Sequence, residues 1–118
     1  MQLKTNASML FLSVLLTAFL FSVSTAEAQP RNLNNRGDLV WQGYDGNDWE
    51  IFFYSKGIVT QVTDNDYTDD LPWINSKGRI VWQGYDGNDY EIFLYSKGTV
   101  TQITDNDYDD CLVRPTYP

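Results

Sequence analysis

The chain has 118 residues, a formal net charge of −8, no histidine and one cysteine. Such acidity repels nucleic-acid phosphates and anionic membrane surfaces, leaving cations, basic proteins or neutral surfaces as partners. The missing histidine excludes Ser-His-Asp and Cys-His catalysis and histidine-held metals. Cys111 alone cannot form an internal disulfide.

Lys4 opens a short basic start, followed by the charge-free apolar run Met9 to Val23. Ala26 and Ala28 then give the small-x-small pattern of a signal-peptidase site. The run is short of the roughly 20 apolar residues that span a bilayer. Residues 1–28 are therefore expected to be a signal peptide. The mature chain starts at Gln29, is extracytoplasmic (secreted or periplasmic) and has no membrane association after cleavage.

Beyond Gln29 the chain repeats itself. "GYDGNDWEIFFYSKG" starts at Gly43 and "GYDGNDYEIFLYSKG" at Gly84, a period of 41 residues without a gap. Several exchanges between the copies preserve side-chain character, as at Trp49/Tyr90, Phe53/Leu94 and Val62/Ile103. The period divides the chain into one unit over 29–70, a second over 71–112, and an irregular tail over 113–118.

Within a unit the signals are all for strands. "RNLN" (31–34) and "PWIN" (72–75) are candidate first strands, closed by "NRG" and "SKG". "DLVWQG" (38–43) and "RIVWQG" (79–84) are β-branched and aromatic runs ending at glycine. The "YDGND" that follows is turn chemistry, because Gly and Asn tolerate positive φ. "WEIFFYS" (49–55) and "YEIFLYS" (90–96) give the next strand, and Lys-Gly pairs turn the chain into "IVTQVT" (58–63) and "TVTQIT" (99–104). No helical period stands out beyond the signal segment. The expectation is all-β, with four short antiparallel strands per unit.

A four-stranded sheet repeated every 40 to 45 residues is the signature of a propeller blade. One eight-stranded sandwich or barrel is the competing architecture. Pro72, Trp73, Ser76-Lys77-Gly78, Ile80-Val81-Trp82, Asp86-Gly87, Glu91-Ile92-Phe93 and Gln102-Ile103-Thr104 follow one another in an order that resembles the blade repeat of TolB-like β-propellers. The first unit matches through Leu39-Val40-Trp41, Asp45-Gly46, Glu50-Ile51-Phe52 and Gln61-Val62-Thr63, without the Pro-Trp opening. The resemblance implies two four-stranded blades. Propellers close with four to eight. The repeat breaks off after Asp110, as in a piece of a larger TolB-like propeller or a short chain that self-associates. A homotrimer would close a six-bladed ring.

Carboxylates gather at two places in each unit. Asp45, Asp48 and Glu50 in the central hairpin match Asp86, Asp89 and Glu91, while "DNDYTDD" and "DNDYDD" begin at Asp64 and Asp105. Alternating carboxylates in a tight loop can converge on a hard cation. Asp64, Asp66, Asp105, Asp107 and Asp109 are thus candidate calcium ligands, although Asp and Asn also cap turns without any ion. A catalytic pair needs two carboxylates in unlike surroundings. Both units carry Asp45/Asp48 and Asp86/Asp89 alike, so no catalytic residue is expected. No cofactor other than Ca²⁺ is expected either. The sequence reads as a non-catalytic binding or scaffolding module whose partner is a protein or its own copy. A calcium-stabilised cell-surface structural repeat is the other reading.

Overall fold

The computed structural model describes residues 31–112. The expected signal peptide over 1–28 and the tail over 113–118 lie outside the described residues. β1 (Leu39–Tyr44), β2 (Trp49–Ser55) and β3 (Ile58–Gln61) form one antiparallel sheet in that order. β4 (Asp69–Ile74), β5 (Ile80–Tyr85), β6 (Tyr90–Ser96) and β7 (Thr99–Gln102) form a second. No helix occurs among the described residues, and the two sheets do not close on themselves.

The sheets differ at their first strand. The segment over 31–34 was expected to match β4, but it makes only an isolated bridge between Leu33 and Leu39. Asparagine at two of its four positions disfavours extended pairing. Its backbone is shared between the sheets instead. Asn32 O accepts from Val40 N at 2.8 Å, and Arg31 O accepts from Ile74 N at 2.7 Å. β4 also begins earlier than the expected 72–75. It starts at Asp69 and absorbs Pro72 through a register shift between Asp70 and Trp73, the kind of bulge at which a strand tolerates a residue without N–H.

Strand alternation sorts each sheet into two faces. Val40, Ile51 and Phe53 share one face of the first sheet, and Ile80, Trp82, Phe93 and Tyr95 share one face of the second. These two faces meet. Val40, Ile51, Ile80 and Trp82 are all 0% exposed, and the rings of Phe53 and Tyr95 touch across the joint at 6.1 Å. β4 lies against β1 and β2. Two unlike faces of successive repeats therefore form the core, with Ile74 completing it.

Candidate functional site

Each β-hairpin between the long strands builds an acidic pocket from its own turn. Asp45 Oδ1 accepts from Asn47 N at 2.9 Å and Asp48 N at 3.2 Å. Asp86 does the same with Asn88 N and Asp89 N at 2.9 and 3.3 Å. Those backbone donors, of Asn47 and Asn88 first, hold the Asp45 and Asp86 carboxyls below the usual range.

One strand position later the chain buries a glutamate. Glu50 and Glu91 are both 0% exposed. The incoming loop fixes one oxygen of each: Glu50 Oε1 accepts from Asn65 N at 2.8 Å, and Glu91 Oε1 accepts from Asn106 N at 2.7 Å. Thr63 and Thr104 brace the same strands by accepting from Ile51 N and Ile92 N at 2.8 and 2.9 Å. The second oxygen of each glutamate is buried without a hydrogen-bond partner, as are both oxygens of Asp48 and of Asp89. Burial raises the pKa of Glu50. Burial, then the neighbouring charges of Glu91 and Asp86, raises that of Asp89.

These carboxylates converge. One oxygen each from Asp45, Glu50 and Asp64 lies within 4.8 Å of the others, and so does one each from Asp86, Asp89 and Glu91. Asp64 is the one member of the loop set expected from sequence that joins such a group. Asp66 is exposed and accepts from Asn47 Nδ2 at 3.4 Å, and Asp109 caps Tyr90 N at 3.0 Å. Asp105 and Asp107 are exposed and belong to neither group. Loop spacing missed the glutamates. The available signal was a charged residue written into the same place in two apolar strands.

The second feature is the joint between repeats. Trp82 Nε1 donates to Asp69 Oδ1 at 2.7 Å, and Asn65 Nδ2 donates to Asp69 Oδ2 at 2.7 Å. Burial still raises the Asp69 pKa against those donors. Gly84 permits this approach, since a Cβ there would collide with Asp69 Oδ1 and stand 3.1 Å from the Phe93 ring. Gln42 Oε1 accepts from Leu71 N at 2.9 Å, and Asn34 Nδ2 donates to Asn75 O at 3.0 Å.

Gln83 Oε1 accepts from Leu112 N at 3.3 Å as Gln42 does from Leu71, but the mates of Asp69 and Trp82 are only half engaged. Asp110 accepts from Asn106 Nδ2 at 2.7 Å, yet no indole reaches it among the described residues. Trp41 stacks on Phe52 at 5.7 Å, and its N–H meets no acceptor among the described residues. Val81, Ile92 and Trp41 are half-buried where Val40, Ile51 and Trp82 are fully buried.

Compared with known proteins, the chain matches no family model, no curated protein and no solved structure.

Proposed function

We propose that the chain is an extracytoplasmic, non-catalytic scaffolding module built of two TolB-like propeller blades, and that it docks onto further copies of itself. In this reading the copies repeat, head to tail, the joint already made inside one chain. One observation carries it. The Trp82-bearing face of the second sheet is buried by the Val40-bearing face of the first, while the outer faces leave Trp41 and Phe52 at one end, and Val81, Ile92 and Leu94 at the other, only half-buried.

The two open faces are the two halves of one joint. Trp41 supplies the indole that Asp110 lacks, and the aromatic face with Phe52 fits the aliphatic face of Val81, Ile92 and Leu94. Such a head-to-tail contact is heterologous, giving a ring if the rotation closes and a filament if it does not. Three two-bladed chains would make a six-bladed ring.

Light scattering coupled to size exclusion on the exported chain tests this. The expected mass is three times that of the chain. Ile92→Lys on the open face should yield folded monomers, because the charge would be buried without a partner in the joint. Ile51→Lys, at the same place in the buried joint, should unfold the chain. A wild-type monomer with a cooperative melt would overturn the reading.

A further inference from the structure

We propose that each acidic hairpin holds one calcium-class cation, ligated by Asp45, Asp48, Glu50 and Asp64 in the first repeat and by Asp86, Asp89 and Glu91 in the second. Convergent acidic side chains alone would not establish this. What points to a ligand is the state of the buried oxygens. Glu50 and Glu91 are 0% exposed and Asp89 is 7% exposed, and each keeps at least one buried oxygen with no hydrogen-bond donor. Buried carboxylates are paired or bound to a metal, because an uncompensated charge away from water is strongly unfavourable.

Among the described residues no lysine or arginine forms an ion pair with either group. The ion pair that is present joins Arg36 to Asp38, in a different turn. Nor are the oxygens free to turn towards water. The opposite oxygen of each glutamate is pinned by a backbone N–H of the following loop. Both repeats share the turn aspartate and the buried glutamate, joined by Asp64 in the first and by Asp89 in the second.

The donor set is oxygen throughout, which selects a hard cation over zinc or copper. Calcium takes oxygens at about 2.4 Å, so ligands on opposite sides of the ion stand up to about 4.8 Å apart. One oxygen each from Asp45, Glu50 and Asp64, and one each from Asp86, Asp89 and Glu91, lies within 4.8 Å of the others; Asp48 is a charged neighbour of Glu50 with both oxygens buried and without a hydrogen bond. Magnesium demands near-ideal octahedral order and usually keeps several of its waters, so it is less suited to a site built of several carboxylates. Six to eight ligands complete a calcium shell, and the exposed Asp45 side of the turn leaves room for water.

This inference does not rest on self-association, since each group lies within one repeat and is complete in a monomer. The test uses the exported full chain, stripped with a chelator. Terbium(III) is the first probe, because the ring pairs Tyr44–Trp49 and Tyr85–Tyr90, with centroids 5.9 and 5.6 Å apart, stand at the two ends of each turn and can sensitise its emission. Calcium should quench that emission by competition at far lower concentration than magnesium. Titration calorimetry should give two equivalents of calcium per chain, one per group. Asp89→Asn with Glu91→Gln should remove one equivalent, and Asp48→Asn with Glu50→Gln the other. Each pair relieves repulsion in the ion-free protein, so both variants should fold, melting at or above the stripped wild type. Asp66→Asn with Asp107→Asn should leave both equivalents in place. A calcium response no larger than that to NaCl of matched ionic strength would overturn the proposal. So would loss of binding in the Asp66/Asp107 variant alone.

Discussion

Trp41 and Trp82 hold the same place in two repeats and have different surroundings. Trp82 is fully buried, with its N–H on Asp69, whereas Trp41 is half-buried and donates to nothing among the described residues. Trp82→Phe leaves a buried carboxylate oxygen without its donor, which costs about 1–3 kcal/mol. Trp41→Phe should change the stability of the dissociated chain by less than about 0.5 kcal/mol, while weakening association. Urea titrations of the two variants at low protein concentration, each read against wild type, check the contrast. Asp38 offers a second contrast, since arginine replaces it in the other repeat. Its carboxylate accepts from Ser55 Oγ at 2.6 Å, Asn34 Nδ2 at 2.9 Å and Arg36 Nε at 3.0 Å. Those donors, Ser55 first, hold its pKa below the ordinary 3.8. The folded state therefore favours the ionised form. The stabilisation is complete above pH 3.8 and is lost as pH falls through the lower folded value. Asp38→Asn should destabilise the chain near neutrality by about 1–2 kcal/mol. The gap from wild type should narrow below pH 3.8 in acid titrations followed by circular dichroism.

At the scale of elements, the Lys-Gly hairpins are the least well matched to their backbone. Ser55 pairs with Ile58, so Lys56 and Gly57 form a two-residue loop, with φ of 51° and 85°. A loop with both φ positive is favoured by Asn-Gly, because asparagine tolerates the left-handed region better than lysine. Lys56→Asn and Lys97→Asn should each stabilise the chain, on the order of 0.5 kcal/mol, seen as a higher urea midpoint with an unchanged slope. The turn was legible because glycine spacing and alternation are local. β2 and β6 run over the residues their apolar letters mark out, 49–55 and 90–96. β4 was less legible. Its start at Asp69 depends on pairing with Gly84, and its bulge places Leu71 at φ 53°. Neither follows from the letters of 69–74 alone.

At the scale of the whole molecule, charge opposes the proposed assembly and apolar burial favours it. Every copy carries −8, so like charge disfavours approach at low ionic strength. Salt shortens the reach of that repulsion to about 8 Å at physiological strength. Raising NaCl should therefore shift the chain towards the larger species, the opposite of an interface held by complementary charges. Its melting temperature should rise with protein concentration, because association stabilises only the folded chain. Scanning calorimetry across a range of concentrations and salt checks both. A melting temperature independent of concentration at every salt would count against assembly.

The sequence by itself determined the period, the strands and the turns, because each rests on residues adjacent in the chain. It also displayed the acidic hairpins. It did not show that their glutamates lose access to water, or that the loop carboxylates at Asp66 and Asp107 keep theirs. Val40 and Val81, Ile51 and Ile92, Trp41 and Trp82 sit in nearly identical local sequence. Local propensity gives the members of each pair the same conformation. Only the tertiary structure decided which member is buried, since burial depends on the neighbouring sheet, and within the described residues the two repeats share a single joint.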